Sequence, residues 1–358
     1  MIEPNPHLLP IQRVTEHMDE RRHYVRLDRN ERVEPLEEGI FQEMLQTLTP
    51  DSFCAYPDPS ILLARLSHSL NLPQNHLYLT NGSDAAIRML FQTYVRPGDH
   101  VLFPEPTYAM YAIYTRIFQA QAHVVDYDSS LSLDIRSILN LLHQYRPRIL
   151  AIPNPDQPTG ATLSEGNLRQ LAAAAYEIDT LFIIDEAYYP FYPHSAVPLV
   201  RTFNNVVVTR TFSKVGGLAG LRLGFLVAQP MIVDHVQRIR GAHEVNAVAA
   251  AIGTYIMDHP EVGDKYLAEV EAGRSVLSKA ASKLGLGFPN CPANFQLIQF
   301  PDMVDTTSIV TALKQKGYLV KGGFSSPAVR NCIRVTLAGP YVIENFVNAL
   351  YDVVNQLR

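Results

Sequence analysis

Cysteine is scarce in this chain: Cys54, Cys291 and Cys332 are its only three, far apart and without a CxxC pair. That argues against a disulfide framework and a zinc site, and points to a reducing compartment. Long apolar runs are lacking too. No run of about 18 apolar residues exists, the length that a membrane-spanning helix needs. The opening Met1-Ile2-Glu3-Pro4-Asn5-Pro6 has no basic segment leading into an apolar core, so no secretory signal is expected. An excess of positive charge is also missing, since 30 Lys and Arg face 35 Asp and Glu for a formal charge of −5. Nothing draws such a chain as a whole toward nucleic acid or anionic lipid. The expectation is a cytoplasmic enzyme with no nucleic-acid partner, no membrane partner and no metal. What the chain does have is core: 47% of its 358 residues are hydrophobic, enough for two domains at about 100–200 residues each and too many for disorder.

Short apolar runs alternate with helical stretches through the middle. Val101-Leu102-Phe103, Ile149-Leu150-Ala151-Ile152, Leu181-Phe182-Ile183-Ile184 and Val206-Val207-Val208 read as buried parallel strands. Between them, 83–94 and 165–175 carry apolar residues at helical spacing. Strand alternating with helix predicts an α/β domain with both sheet faces covered, and such sheets place ligands beyond the carboxyl ends of their strands. The character changes near 255–265. A charged helix over 261–284 precedes a strand at 295–300, a helix at 307–316, a strand at 333–337 and a last amphipathic helix at 343–357. This tail reads as a smaller α+β unit on which the polar N-terminal residues pack as an arm. The expected division is a large domain over 45–260 and a small one made of 1–44 and 261–358.

Five segments carry chemistry. In Thr209-Arg-Thr-Phe-Ser-Lys214 the lysine follows a buried strand, and Gly216, Gly217, Gly220 and Arg222 come after it. The glycines follow the lysine rather than precede it, so this is no Walker loop. The lysine is either a phosphate-binding point charge or, more attractively, an amine nucleophile of the Schiff-base kind. In Phe182-Ile-Ile-Asp185-Glu-Ala-Tyr188 an aspartate closes a buried strand, where an isolated carboxylate is costly and calls for a cationic or hydrogen-bonding partner. A pyridinium nitrogen would serve, with Tyr188 donating to a phenolate oxygen of the same ring. Ile152-Pro-Asn154-Pro-Asp156-Gln157-Pro-Thr-Gly160 is a rigid turn after a strand. Tyr78-Leu-Thr80-Asn-Gly82-Ser83-Asp84 leads into a helix whose free amides form an anion site. Phe103-Pro-Glu-Pro-Thr-Tyr108 sets an aromatic beyond another strand.

In this order and spacing, these motifs resemble the class I/II aminotransferases of fold type I, which use pyridoxal 5′-phosphate (PLP), and within them the histidinol-phosphate aminotransferase branch. Tyr56-Pro-Asp-Pro59, Asn81-Gly-Ser-Asp84, Asp185-Glu-Ala-Tyr188, Ser213-Lys214 and Ala219-Gly-Leu-Arg222-Leu-Gly-Phe225 carry the likeness, which spans about 27–358. The resemblance implies a mostly parallel sheet in a three-layer α/β/α sandwich beside a smaller α+β domain. It implies transfer of an amino group from an amino acid or amino-phosphate donor to a 2-oxo acid by a ping-pong route. Lys214 would carry the cofactor as a Schiff base and shuttle a proton, Asp185 would pair with the pyridine nitrogen, and Tyr188 and Gln157 would contact the ring oxygen. Tyr108 would stack on the ring. Ser83, Asp84, Thr211, Ser213 and Arg222 would hold the phosphate, and Tyr56 would reach the neighbouring subunit's cofactor in a homodimer with shared sites. Arg334 would grip the substrate carboxylate.

The chain departs from the family where substrate binds. Gln157 replaces the usual asparagine before Pro-Thr-Gly, keeping the amide on a stem one methylene longer. In Leu27-Asp-Arg-Asn30-Glu31-Arg32, the arm carries Asn30 toward substrate and Arg32 adds a charge there. Lys321 stands where an arginine would meet a substrate phosphate, as a point charge without the fork. These changes leave the donor open: acidic, phosphorylated or specialised. A decarboxylase of the threonine-phosphate type is the alternative on the same scaffold.

Overall fold

Strands form at 25–26 (β1), 77–80 (β2), 100–105 (β3), 121–126 (β4), 149–153 (β5), 181–185 (β6), 206–211 (β7), 224–227 (β8), 295–299 (β9), 318–319 (β10) and 332–336 (β11). They are seen in a computed structural model that describes residues 2–11 and 21–357, so the stretch 12–20 of the expected N-terminal arm lies outside the described residues. Seven of them build one sheet in the order β2-β8-β7-β6-β5-β3-β4. β4, β3, β5, β6 and β7 run parallel, while β8 is antiparallel to both its neighbours.

The apolar runs fix this sheet because a strand buried on both faces needs no polar alternation. Leu150, Ile152, Phe182, Ile184, Val206 and Val208 pack on one face against Ile138 and Leu142 of the helix Ile135–Tyr145 and Leu168 and Leu171 of the helix Glu165–Glu177. Ile149, Ala151, Ile183 and Val207 pack on the other against Ala86, Leu90 and Phe91 of the helix Gly82–Tyr94, with Ile232 and Val236 beside them. Each fully buried aliphatic or aromatic side chain contributes about 1.5–3 kcal/mol, so the three layers hold without a cross-link. The helix starts are marked in the sequence: Asp134 accepts from the amides of Arg136 and Ser137, and Ser164 accepts from that of Asn167.

A second core gathers Leu27, Val270, Leu277, Ile298, Ile333, Val335, Phe346 and Leu350. The antiparallel ribbon of β9 and β11 and the helices Pro260–Leu284, Thr306–Gln315 and Pro340–Leu357 supply most of it. β1 pairs in parallel with β10, with Val25 opposite Tyr318, so the arm is threaded onto this unit before it reaches the sheet. Among the described residues no helix is long and apolar enough to cross a membrane.

Gly224 is where the sheet and the site meet. A Cβ there would stand 2.6 Å from the Gly82 carbonyl carbon and the Ser83 nitrogen, and 2.8 Å from the Arg210 carbonyl oxygen. All three are backbone atoms that cannot swing aside. Gly224→Ala is therefore expected to destabilise the fold by about 1–3 kcal/mol. Thermal unfolding checks this, and an unchanged midpoint would contradict it.

Candidate active site

The carboxyl ends of the parallel strands open into a cavity of about 600 Å³. Asp185 ends β6, Thr211 ends β7 with Ser213 and Lys214 just beyond, and Ser83 and Asp84 begin the helix that follows β2. Tyr108 comes from the turn after β3 and Gln157 from the loop after β5, and Tyr188 and Arg222 complete this part of the wall. Ten expected residues thus face one space, as the strand-end rule for α/β sheets requires.

One end of the cavity is built for an anion. The helix Gly82–Tyr94 starts at Asn81, whose side chain makes no capping bond, so its first-turn amides keep their donor capacity. The Thr211 hydroxyl lies 2.9 Å from that of Ser213 and accepts the Ser213 N–H at 3.2 Å. Arg222, in a left-handed backbone conformation at φ 54°, lays its guanidinium against Gly82: a Cβ on Gly82 would meet Nη2 at 2.7 Å. Gly82 itself has φ 79°, so both the space and the backbone ask for glycine.

The other end is built for a cation. Asp185 is buried, accepting 2.9 Å and 3.1 Å hydrogen bonds from the hydroxyls of Thr209 and Tyr111. Burial nevertheless outweighs these bonds and pushes its carboxyl up to about 6. The carboxylate is short of a positive partner. Tyr108 donates to Asp84 at 3.2 Å, which fixes its ring beside the cavity. The turn after Asp185 is pinned by buried Glu186, which pairs with Arg210 at 2.8 Å; that guanidinium stacks 3.6 Å over Tyr189.

Lys214 reaches into the space between. Its Nζ donates to the carbonyls of Asn30 at 3.0 Å and Arg29 at 3.4 Å and lies 5.7 Å from the Tyr188 ring centre. Burial first, then the nearby positive charges of Arg334 and Arg222, lower its ammonium to about 8. A lysine so placed is a usable nucleophile near neutrality. The rate at which this amine captures an aldehyde probe should therefore rise with pH and level off above about 8. Arg334→Gln removes a like charge and should move that midpoint upward. Stopped-flow capture rates across pH 6–10 give both numbers; a midpoint unmoved by the substitution would exclude the repulsion.

Other expected residues lie off the cavity wall. Arg334 is buried on β11, donating to the Asp28 carbonyl at 2.7 Å and lying 5.5 Å over the Phe295 ring, with its Nε unpaired among the described residues. Asn30 is buried behind Tyr188, donating to its hydroxyl at 2.8 Å. Arg32, expected near substrate, turns the other way: its guanidinium lies 4.7 Å over Tyr266 and 3.4 Å from Glu269, and its stem packs against Gly217. Lys321 pairs its backbone with Arg334 while its side chain is exposed and away from the lining. Tyr56 is 84% exposed and stacks on His243 at 4.5 Å. Asp156, next to Gln157, is a loop brace: it is buried and accepts from Thr107 and Thr159. Sequence reasoning missed Thr209 and Tyr111, which hold Asp185, and Arg29 and Glu31, which line the cavity.

An anion cradle, a buried carboxylate lacking a cation, a nucleophilic amine and an aromatic wall in one cavity fit PLP at both its phosphate and its pyridine ends. Comparison with known proteins agrees. The model of the family described as aminotransferase class I and II matches residues 39–350. A histidinol-phosphate aminotransferase of Burkholderia lata is 32% identical over 323 residues, covering 88% of each chain. The fold matches that of a Sinorhizobium meliloti histidinol-phosphate aminotransferase solved with PLP, with a TM-score of 0.90, 22% identity and coverage of 100% of this chain and 99% of that one. It also matches an Escherichia coli protein with a methionine aminotransferase function, at TM-score 0.85, 17% identity and coverage of 98% and 100%. The three-layer sheet with one antiparallel strand is therefore fold type I, and this chain belongs to the class I and II aminotransferases, enzymes that work with PLP.

Proposed function

We propose that this aminotransferase takes its amino group from an amino acid or amino phosphate and passes it to a 2-oxo acid in a ping-pong cycle. The observation that carries the reading is the convergence of Lys214, Asp185, Tyr188 and Arg222 on one cavity. Bound PLP supplies an electron sink that stabilises charge at the substrate Cα. In this reading Lys214 holds the cofactor and, once free, moves the proton at Cα, with the carbonyls of Asn30 and Arg29 receiving its amine. Asp185 keeps the pyridine nitrogen protonated, and Tyr188 donates to the ring oxygen beside Gln157. Tyr108 covers the ring. Ser83, Asp84, Thr211, Ser213 and Arg222 bind the phosphate.

Arg334 is the proposed carboxylate ligand, because an arginine buried with an unpaired Nε is primed for a planar anion. The curated relatives matched here include histidinol-phosphate aminotransferases. For this chain, Arg29 and Glu31 at the cavity wall, in place of Lys321 and Arg32, would read the far end of the donor. The large domain is proposed over 45–260, with 1–44 and 261–358 as the small one. A homodimer in the cytoplasm completes the reading. Phe53, Tyr56 and Ile61, each at least 60% exposed, offer apolar surface to a second copy, and the free thiols suit a reducing setting.

The test is a donor screen of the PLP-loaded enzyme, followed by its visible spectrum. A productive donor should convert the spectrum without a co-substrate, and 2-oxoglutarate or pyruvate should restore it. Carbon dioxide released from the amino acid alone would replace this reading with the decarboxylase.

A further inference from the structure

We infer that Asn30 is a positioning residue of the reaction, one that aims the Tyr188 hydroxyl proton into the cavity. Asn30 sits in a closed set of hydrogen bonds. The Asn30 N–H donates to the Thr336 hydroxyl at 2.9 Å, and that hydroxyl donates to Asn30 Oδ1 at 3.4 Å. Thr336 is fully buried, and Oδ1 is the acceptor its hydroxyl proton has among the hydrogen bonds of the described residues, so Nδ2 is the end that donates to the Tyr188 oxygen at 2.8 Å. A phenol that accepts on its buried side has its own proton left for the other side, and that side is the cavity wall.

The residue is held for this purpose. Asn30 is 1% exposed, with φ 56°, a left-handed conformation that asparagine and aspartate tolerate best among residues with a side chain. Its carbonyl accepts from Asn294 Nδ2 and Lys214 Nζ, both at 3.0 Å. One arm residue thus touches Tyr188, Lys214 and β11, the strand that carries Arg334. The charged and titratable groups around Tyr188 are Arg334 from β11, Asp185 from β6, Asp156 from the loop after β5, and Lys214. Only Asn30 gives its oxygen a direct side-chain donor among the hydrogen bonds of the described residues.

The inference rests on the proposed placement of Tyr188 at the ring oxygen, and one experiment separates the two. The pH midpoint of the visible absorbance of the PLP-loaded enzyme reads how well the charge on that oxygen is stabilised. Tyr188→Phe should raise it. Asn30→Ala should raise it by up to about one pH unit, the span of one hydrogen bond, and should lower kcat several-fold with little change in KM. Asn30→Asp keeps the backbone preference but can only accept, so it draws the Tyr188 proton away from the cavity and should raise the midpoint further than alanine. In the Tyr188→Phe background, Asn30→Ala should add nothing. Independent, additive shifts would mean that Asn30 merely supports the fold and would overturn the inference, as would Asn30 variants with an unmoved midpoint. An unmoved midpoint in Tyr188→Phe would overturn the placement of Tyr188, and this inference with it.

Discussion

Lys214→Ala is expected to lower turnover by at least about 10⁴-fold and to remove the Schiff-base band from the spectrum of the PLP-loaded enzyme, leaving that of the free aldehyde. In the proposed mechanism two functions would be lost together, the nucleophile that holds the cofactor and the base that moves the proton at Cα. General acid–base catalysis alone is worth about 10²–10⁴-fold, and residues that act as a unit lose nearly everything when one is removed. No neighbour can stand in. The other cations on the cavity wall are Arg29 and Arg222, whose guanidinium groups neither deprotonate nor attack. The fold should survive, because burial already disfavours the ammonium, which is lowered to about 8.

Lys214→Arg sharpens the experiment. It keeps the positive charge beside the Asn30 and Arg29 carbonyls and removes only the nucleophile, so it should be as inactive as the alanine variant. Steady-state rates and absorbance spectra of both proteins decide it. An arginine variant with activity near that of the natural enzyme would show that the charge alone matters and would return Lys214 to a phosphate-binding point charge, the other reading its sequence context allows.

Which parts of this were legible in sequence follows from how each residue is buried. β5, the first four residues of β6 and the first three of β7 are apolar because helices cover both faces, so they announce themselves. β4 does not: it is the edge strand, and only Val125 of its six residues is buried. β2 and β8 are four residues each and pair antiparallel across a separation of more than 140 residues, which no local pattern records. The strand-end motifs of the site were readable because polar residues there interrupt apolar runs. Tyr111 and Thr209 look like ordinary core and strand residues, and only the register that sets Thr209 beside Asp185 shows their use. The direction of each arm side chain has no local signature either. The chain bends at Asn30, whose φ is 56°, and there Arg29 and Glu31 face the cavity while Arg32 turns to Glu269. The register comes from β1 pairing with β10, nearly 300 residues away.

Asp185→Asn should cut kcat by about 10²–10⁴-fold and yet stabilise the cofactor-free protein. The loss follows from removing one partner of a buried charge pair, which costs about 3–5 kcal/mol; the neutral amide cannot keep a pyridine nitrogen protonated. The gain follows from the sign of the shift. Without a cation, burial holds the Asp185 carboxyl at about 6, above its ordinary value of 3.8, so the folded apoenzyme disfavours the ionised form. A raised carboxyl contributes a penalty that is absent below about pH 4, grows as pH rises to about 6, and is constant above it, on the order of 2–3 kcal/mol at neutrality. Asparagine carries no such penalty, and the hydroxyls of Thr209 and Tyr111 can hydrogen-bond an amide as they do a carboxylate. Apoenzyme melting should therefore rise by a few degrees at pH 7.5 in the variant, with the difference fading toward pH 4. With PLP bound the order should reverse, because the natural enzyme gains the ion pair and the variant does not. Melting curves of both proteins, with and without PLP at pH 4.5 and 7.5, form the test. A variant that is less stable than the natural apoenzyme at pH 7.5 would show that Asp185 is already satisfied by its hydroxyl donors, and the case for a cation at this end of the cavity would fall.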